Sequence, residues 1–538
     1  MLRRFLAYIF VFIIVFSCFQ CARKGSPTGG PKDVTPPVLT KAEPENMSTN
    51  FKANKIRLYF DELVKLKDVQ EQLIVSPPLK YQPTLTPQGS ASRYVEITLK
   101  DTLLENTTYT LNFGQSIVDN NEENPNSFFT YVFSTGSYID SLELRGVVKD
   151  AFNKKADDFI SVMLYNIDST YTDSTIFKRP PNYITNTLDS TIIFNLKNLK
   201  EGKYALFGLK DASKNNIFDQ KSDKIAFIKD TINLPTDSIY LLTLFKEVPD
   251  YAVNVPSLAS KNKISFGYYG KGEEIKISPI SKIPDTVKTT ILKERDKDTL
   301  NFWFTPYEMD SIVFTVTNEN LKVIDTFTIK NRKAGIDSLK LSPTQKSTLH
   351  FEDKVSIVAN TPLVSIDSSM IDIMNKDSLL IDYSVSLDSI KNKLDFDFKV
   401  EPNQVYQMQL LPGAVLDFFG TTNDTINYSL ATKSFADYGD LTVNLSGNNI
   451  AYPLIVQLTN DKEELQREIF ANEPQLFEFN NLPPGNYMIR VIFDQNNNQK
   501  WDTGNYLKKI QPEKVSHYPN IIEMRANWIE NVTFNILD

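Results

Sequence analysis

Residues 477–505 read FEFNNLPPGNYMIRVIFDQNNNQKWDTGN, an order of apolar strand, Gly-containing turn, second apolar strand and loop rich in Asp and Asn. Residues 194–223 read FNLKNLKEGKYALFGLKDASKNNIFDQKSD and repeat that order. At a constant spacing of 283 residues the following pairs coincide: Phe194 with Phe477, Leu199 with Leu482, Gly202 with Gly485, Tyr204 with Tyr487, Asp211 with Asp494, and Asp219 with Asp502. A β unit that occurs twice indicates an array of small modules.

The composition supports several packed domains and argues against some classes of function. The 538 residues suffice for several domains of ordinary size. Apolar residues make up 41% of the chain, with 35 Phe and 24 Tyr, which is ample for packed cores. The net charge of −8 and the lack of a long basic run argue against nucleic-acid binding. With two histidines, His350 and His517, neither histidine-dependent catalysis nor a zinc site is expected.

The N-terminus has the layout of an export signal. Arg3 and Arg4 precede an apolar run over residues 5–16, and Ser17 and Cys18 follow. A helix that crosses a bilayer needs about 20 apolar residues, so this run is too short to span a membrane. A positive start, a short apolar stretch and a small residue before a cysteine are typical of a secretory signal.

Residues 15–18, Val-Phe-Ser-Cys, resemble the lipobox of bacterial lipoprotein signals. The resemblance implies that residues 1–17 are a signal peptide and that Cys18 is acylated as the first residue of the mature chain. Cys21 is the alternative anchor, and an ordinary cleaved signal or an uncleaved anchor is the alternative to lipidation. The chain has no other cysteine, so the modules must fold without intramolecular disulfides.

Residues 18–37 separate the anchor from the first module and read CFQCARKGSPTGGPKDVTPP. Their Gly, Pro and Ser content predicts a flexible tether. Some bacterial lipoproteins need acidic residues directly after the anchor to reach the cell exterior, and residues 19–24 contain none. We therefore expect an outer-membrane lipoprotein on the periplasmic face, held to the membrane by its lipid.

Residues 38–137 alternate apolar and polar side chains over short stretches. Residues 56–60 (IRLYF) and 95–99 (VEITL) are examples. A period of two predicts half-buried β-strands packed as a sandwich. The segments PPVLTKAEPEN, IRLYFDE, YTLNF and FTYVFSTG resemble a bacterial Ig-like domain of the SbsA type. The resemblance implies a seven-stranded sandwich found in envelope and surface proteins, and not an enzyme.

Residues 138–247 and 436–538 contain the two copies of the repeated unit. The first opens with LELRGVVKDA and has further strand patterns around the repeat. Both modules resemble the transthyretin-like or carboxypeptidase-regulatory-like β-sandwich, a resemblance that implies no catalytic residue.

Two modules lie between these copies. Residues 248–337 are strand-rich and form a β-sandwich of uncertain type. Residues 338–435 resemble a degenerate second Ig-like domain, in which Tyr406 aligns with Tyr109 at a spacing of 297 residues. The predicted fold class is therefore all-β, a tandem array of Ig-like and transthyretin-like β-sandwiches after an N-terminal lipoprotein signal.

The two acidic loops carry oxygen-bearing side chains at positions 1, 3, 5 and 9 of an EF-hand-like spacing. These residues are Asp494, Asn496, Asn498 and Asp502 in the second copy, and Asp211, Ser213, Asn215 and Asp219 in the first. Oxygen ligands at alternating positions can hold Ca²⁺, which makes calcium the one candidate cofactor. Both loops lack the Gly at position six and the Glu at position twelve. The alternative is a hairpin loop whose Asn and Asp side chains bond their own backbone.

Asp followed by Ser or Thr and then by an apolar residue or Thr recurs along the chain. It begins at Asp101, Asp140, Asp168, Asp173, Asp189, Asp230, Asp237, Asp285, Asp298, Asp310, Asp337, Asp377, Asp388 and Asp424. The tripeptide resembles the acceptor motif for O-glycosylation of exported proteins in some Gram-negative bacteria. The alternative is structural, because Asp and Ser or Thr close turns and the next residue opens a strand.

Signatures of enzymes are absent from the sequence, which has no nucleophile-elbow, phosphate-loop or HExxH pattern. The sequence therefore favours a lipid-anchored, multi-domain Ig-like envelope protein with a structural or binding role. Its expected partners are the membrane, through the lipid, and a protein or a glycan. The alternative is an accessory lipoprotein of a polysaccharide-processing or secretion complex.

Overall fold

The computed structural model describes residues 32–187 and 192–536. The predicted signal peptide, Cys18, Cys21 and most of the tether lie outside these residues, as does the motif at Asp189. Helices in the described chain are limited to α1 (Val69–Gln72) and to 3-10 turns at Thr175–Phe177, Ser368–Met370 and Phe435–Asp437. The rest of the regular structure is β-strand, which confirms the predicted all-β class. No helix among the described residues is long and apolar enough to cross a bilayer.

The chain forms two compact units. Among the described residues, the first comprises 32–143, 183–187 and 197–200. The second comprises 144–182, 192–196 and 201–536.

The first group of strands forms a two-sheet sandwich. The strands are β1 (Leu39–Glu43), β2 (Lys55–Leu66), β3 (Ile74–Ser76), β4 (Thr84–Thr86), β5 (Ser92–Thr98), β6 (Thr108–Asn112), β7 (Ile117–Asp119) and β8 (Thr130–Ser134). One sheet has the order β1-β2-β5-β4, with β7 paired to β2, and the other has the order β3-β6-β8. Ile56, Leu58 and Phe60 on β2 are buried between the sheets, so the period of two seen in the sequence marks the core face.

The second group contains the first copy of the repeat. The strands are β9 (Leu142–Asp150), β10 (Ser161–Asn166), β11 (Tyr183–Asn186), β12 (Ile193–Leu199), β13 (Gly202–Lys210), β14 (Lys224–Phe227), β15 (Ile232–Leu234) and β16 (Ile239–Leu244). One sheet has the order β12-β9-β16, and β16 runs parallel to β9. In the facing sheet β13 lies between β10 and β14, and its beginning pairs with β15.

The third group is a smaller sandwich. The strands are β17 (Ala252–Val253), β18 (Ser257–Ser260), β19 (Lys263–Tyr269), β20 (Ile275–Pro279), β21 (Thr289–Lys293), β22 (Thr299–Phe304), β23 (Ser311–Asn318) and β24 (Val323–Lys330). The sheets have the orders β17-β19-β22-β21, with β18 on β19, and β20-β23-β24. Phe314 fills the space between them, with ring centroids 5.2 Å from Phe266 and 4.9 Å from Phe302.

The fourth group repeats the strand order of the first. The strands are β25 (Leu341–Pro343), β26 (Val355–Ala359), β27 (Leu363–Ile366), β28 (Ile371–Met374), β29 (Ser384–Asp388), β30 (Lys393–Asp397), β31 (Val405–Leu410), β32 (Val415–Asp417) and β33 (Ile426–Ala431). The sheets have the orders β25-β26-β30-β29 and β28-β31-β33, and β27 pairs with β32.

The aligned tyrosines make the same contact in both groups. The Tyr109 hydroxyl accepts a hydrogen bond from the backbone N–H of Leu104 at 2.9 Å, and the Tyr406 hydroxyl accepts one from Glu401 at 2.7 Å. Each tyrosine thus closes the turn before its own strand. Both the accepting tyrosine and the donating residue of one group lie 297 positions before their counterparts in the other. The structure confirms this alignment.

The fifth group has the topology of the second. The strands are β34 (Gly439–Ser446), β35 (Leu454–Asn460), β36 (Leu465–Ala471), β37 (Leu476–Leu482), β38 (Gly485–Phe493), β39 (Val515–His517), β40 (Ile522–Met524) and β41 (Ile529–Asn535). β34 lies between β37 and β41 and runs parallel to β41, while β38 pairs with β35, β39 and β40. The repeated sequence is therefore a repeated fold.

Candidate binding site at the repeated acidic loops

The first acidic loop connects β13 to β14 and is built around the Asp211 carboxylate. One oxygen accepts the backbone N–H groups of Ser213 at 2.9 Å and Lys214 at 2.7 Å, and the other accepts that of Asn216 at 2.6 Å. Lys214 and Asn216 have positive φ angles of 58° and 57°. These features are those of an Asp-initiated turn.

A buried carboxylate that sequence reasoning did not single out closes this loop. Asp223 is fully buried, and its two oxygens accept the N–H of Ala212 at 3.0 Å and the N–H of Asp219 at 2.8 Å. It thereby joins the start of the loop to its ninth residue, so the loop has a fixed shape without an added ion.

The second acidic loop connects β38 to β39 and follows the same plan. The Asp494 carboxylate is 2% exposed and accepts the N–H groups of Asn498 at 3.1 Å and Gln499 at 2.8 Å. The Asp502 carboxylate accepts the side-chain amide of Asn498 at 2.8 Å and also that of Asn496. The residues predicted as calcium ligands in this copy are therefore brought together in one loop.

Glu513 performs in the second loop the task that Asp223 performs in the first. Its oxygens accept the N–H of Gln495 at 2.8 Å and the N–H of Asp502 at 3.0 Å. Burial raises the pKa of Glu513, and the neighbouring carboxylates of Asp502 and Asp494 raise it further.

The local hydrogen bonds are those that the turn interpretation predicts for both loops. Loop carboxylates accept backbone N–H groups, and the Asn215 side chain likewise accepts the N–H of Ile217 at 2.8 Å. Within the described residues, no group of three or more His, Cys, Asp or Glu side chains is arranged to hold a metal ion. Calcium binding by the Asp and Asn side chains stays a prediction.

The two loops differ in length, and the difference has a structural role. Before the loop, corresponding residues of the two copies are 283 positions apart in the sequence, as in β12 and β37. After the loop, corresponding residues are 290 positions apart, as in β15 and β40. The second loop is thus seven residues longer, and its added length falls around residues 505–511. We call residues 505–511 the docking segment, because they lie against the first copy of the repeat.

Tyr506 is the centre of this contact. Its side chain is 2% exposed, with ring centroids 5.1 Å from Phe207 and 5.2 Å from Phe227, both on the first copy. The hydroxyl donates to Asp173 at 3.3 Å, and burial raises the pKa of Tyr506. Lys509 adds an ion pair to Asp173 at 2.7 Å. Two strands and a loop of the first copy thus enclose one tyrosine of the second.

Backbone groups complete the docking. The N–H of Tyr506 donates to the buried carboxylate of Glu247, whose other oxygen accepts the Gln220 side chain at 2.8 Å. The Thr503 hydroxyl donates to the carbonyl of Lys246 at 2.5 Å. The buried Glu247 carboxylate and the backbone N–H of Tyr506 therefore satisfy each other across the contact, as buried polar groups require.

A second contact between the copies lies at the β9–β10 connection. The Phe152 ring lies 4.8 Å from Trp501, and the guanidinium of Arg490 stacks over it at 3.9 Å. Lys154 donates to the carbonyls of Tyr518 at 3.0 Å and Pro519 at 2.6 Å. Burial lowers the pKa of Arg490, which is 5% exposed.

The first acidic loop borders an open cleft of about 580 Å³. Asn215 and Asp219, two of its predicted ligand residues, line the cleft together with Phe177, Asp250 and Tyr251. Aromatic faces beside carboxylate and amide groups are a lining suited to a polar ligand.

Seven of the fourteen Asp-Ser/Thr motifs lie where the structural alternative predicts them, at the start of a strand or in a turn. Strands begin at the second or third residue of the motifs starting at Asp140, Asp230, Asp237, Asp298, Asp310 and Asp424. The Asp168 carboxylate accepts the N–H of Thr170 at 2.7 Å, closing the turn within its own motif. Glycosylation of these motifs stays a prediction.

Comparison with known proteins identifies a family match for the first sandwich. Residues 33–135 match the bacterial Ig-like domain family. No curated protein matches the chain. Among solved structures, domains 1–6 of the surface layer protein SbsC share 10% identity at a TM-score of 0.15, covering 86% of this chain and 66% of that one. BcpA, the major pilin subunit of Bacillus cereus, shares 8% at 0.13, covering 74% and 99%.

A third similar structure, the Bacillus anthracis TIE protein, shares 13% identity at a TM-score of 0.14 and covers 95% of this chain and 75% of that one. TM-scores this low carry no argument about the function of this chain. What the comparisons establish is the Ig-like domain at residues 33–135.

Proposed function

We propose that this chain is a lipid-anchored envelope protein with a structural or binding role, and that it is not an enzyme. The observation that carries the proposal is the different use of the two acidic loops. The second continues into the docking segment, whose Tyr506 is buried against the first copy of the repeat, whereas the first borders a cleft of about 580 Å³. Recognition commonly uses loops held by a rigid scaffold, and the Ig-like domain at residues 33–135 supports an envelope role.

The environment of the loop carboxylates supports a non-catalytic role. Asp211, Asp223 and Asp494 each accept two or more backbone N–H groups. A carboxylate held in this way stabilises a turn.

The cleft beside the first loop suits a glycan or a polar segment of another protein. A photo-crosslinking amino acid at position 221, on the cleft wall, tests this in the native envelope with mass spectrometry of the products. The same substitution at the exposed Lys276 on β20 is the matched control. We expect a product from position 221 that position 276 does not give. Identical product patterns at both positions would contradict a binding role for the cleft.

A protein partner is favoured by apolar side chains on the outer faces of the three-stranded sheets. Ile239 on β16 is 77% exposed and Ile529 on β41 is 69% exposed, with Trp528 beside it. Exposed apolar surface of this kind is typical of interaction sites. An accessory role in a polysaccharide-processing or secretion complex is therefore the second candidate. Recovery of a membrane protein in the crosslinked product would support it, and recovery of a glycan would not.

The lipid anchor is tested by metabolic labelling with a fatty-acid analogue. Cys18→Ser is expected to abolish labelling, because Cys18 stands at the lipobox position, and Cys21→Ser is expected to retain it. The opposite result would make Cys21 the anchor, and labelling of neither wild type nor variants would contradict lipidation.

A further inference from the structure

The docking segment is a small hairpin that presents Tyr506 to the first copy of the repeat. Near its ends, the N–H of Asn505 donates to the carbonyl of Ile510 at 2.8 Å, and the N–H of Ile510 donates back at 2.9 Å. Leu507 is 55% exposed, so Tyr506 is the side chain that the first copy encloses. A segment that makes its own backbone hydrogen bonds is preorganised, which lowers the entropic cost of docking.

The first copy receives Tyr506 in a pocket of aromatic rings with two carboxylates at its edge. Two rings on opposite residues of β13 and β14 form the floor, and a third ring lies 6.3 Å from that of Tyr506. One carboxylate accepts the tyrosine hydroxyl and the other accepts the backbone N–H. We call this the tyrosine pocket, and its residues, in that order, are Phe207, Phe227, Phe177, Asp173 and Glu247.

The corresponding place in the second copy receives an aromatic ring from the first. At the spacing of 283 residues, Phe207 corresponds to Arg490. At the spacing of 290 that applies after the loop, Phe227 corresponds to His517. Both pairs lie opposite each other on neighbouring strands. The ring of Phe152 lies under the Arg490 guanidinium, as the ring of the docking segment lies against Phe207. The contact is therefore reciprocal, because each copy inserts one ring at the same position of the other.

A reciprocal contact is the arrangement that holds symmetric dimers together, in which the same patch of each subunit touches the other. Here the two patches belong to one chain and are connected by the third and fourth groups of strands, each with its own core. The ring contacts, hydrogen bonds and ion pairs described between the two copies involve no residue of those groups. The same contact therefore fits two copies that belong to different chains.

We propose that the tyrosine pocket also receives the docking segment of a second copy of this chain. In such a pair the first repeated module of one chain docks on the second repeated module of the other. Every contact of the closed chain is then formed again between chains, and each sandwich stays folded. The closed chain is favoured at low concentration, and pairing between chains rises with concentration. Pairing needs neither a ligand in the cleft at the first acidic loop nor the lipid anchor.

Two complementary variants of the full mature chain test this pairing. The segment variant, Tyr506→Ala, keeps the tyrosine pocket, and the pocket variant, Phe207→Arg, keeps the docking segment. The pocket variant should retain its fold, because the equivalent position of the second copy holds the buried Arg490. We expect each variant alone to be monomeric. An equimolar mixture at about 100 μM should sediment as a heterodimer, since interfaces of ordinary size have dissociation constants in the micromolar range or below.

Carbodiimide crosslinking identifies the surface that the mixture uses. With one variant labelled with heavy nitrogen, we expect a link between Lys509 of the pocket variant and Asp173 of the segment variant. Leu507→Ala, at an exposed position of the same segment, is the matched control for Tyr506→Ala. Because its own Tyr506 still fills the pocket, it should give about tenfold less heterodimer with the pocket variant.

Four results would overturn the assignment. A mixture that stays monomeric would show that the pocket does not accept a second copy. Self-association of either variant alone, or a heterodimer without the Lys509–Asp173 link, would show that chains meet through another surface. A segment variant that retains a different envelope protein, and not the pocket variant, would assign the pocket to that partner. Melting temperatures show whether the variants are folded, and Asp173→Lys, at an exposed side chain, replaces Phe207→Arg if the latter does not fold.

Discussion

Gly504 lies where the second loop packs tightly against the first copy of the repeat. A Cβ atom there would lie 2.7 Å from ring atoms of Phe245 and 2.7 Å from the carbonyl oxygen of Ile510. Phe245 is 1% exposed, so its ring has no space into which to move. We expect Gly504→Ala to lower the free energy of unfolding by about 1–3 kcal/mol, measured by chemical denaturation.

Gly485 provides the matched control for this substitution. It begins β38 in the same module, and a Cβ atom there would have no neighbour closer than 4.0 Å. Gly485→Ala should change the free energy of unfolding by no more than about 0.5 kcal/mol. Equal effects of the two substitutions would contradict tight packing at Gly504.

His517 is the histidine whose titration we expect to be coupled to folding. It lies opposite Arg490 on β38, and its Nε2 atom is buried without a hydrogen-bond partner among the described residues. Burial lowers the pKa of His517. Arg490 and Lys154 lower it further, while Glu463 and Asp150 act in the opposite direction. The fold therefore favours the neutral imidazole, and the stability this provides is present above the usual histidine pKa and lost as the pH falls below it.

We expect the free energy of unfolding to fall between about pH 7.5 and pH 5.5, and His517→Gln to reduce that fall. Urea denaturation at the two pH values measures the difference. His350→Gln, which removes the chain's other histidine, should retain the wild-type difference. A His517→Gln variant with an unchanged pH dependence would show that this imidazole does not titrate with unfolding.

At the scale of the element, the question for the acidic loops is whether their carboxylates bind Ca²⁺ or only backbone N–H groups. We expect Ca²⁺ to leave the melting temperature of the chain unchanged, because the Asp494 and Asp211 carboxylates already accept backbone N–H groups. Thermal unfolding with Ca²⁺ and with a chelator measures this. A rise with Ca²⁺ that is lost in Asp502→Asn would instead establish the calcium site predicted from the sequence.

The strands and the loop positions could be predicted from the sequence, whereas the groups that fix the loops could not. Alternation of apolar residues gives β2 and β38, and Gly485 and the Asp and Asn residues mark the turn and the loop. Glu513 occupies the role of Asp223 but is displaced by the seven added residues, so the constant spacing of 283 does not align the two. Their roles depend on tertiary hydrogen bonds, which no local pattern records.

At the scale of the molecule, the sequence predicts that modules are duplicated but not that two copies meet. The strand orders of the first and fourth groups agree, as do those of the second and fifth. The meeting of the second and fifth groups depends on side chains such as Tyr506 and Asp173, which are 333 residues apart. Tyr506 lies in a loop, outside any stretch of alternating apolar residues. The adjacent sequence therefore does not predict that its side chain is buried against another module.

Carbodiimide crosslinking of the native chain, followed by mass spectrometry of the monomer, is the most direct test of this packing. The reagent joins only an amine and a carboxylate that are in contact. The account predicts a link between Lys509 and Asp173, 2.7 Å apart across the two copies, together with the link between Lys224 and Asp150 within the first copy. Recovery of the Lys224–Asp150 link without the Lys509–Asp173 link would contradict the docking of the repeated modules.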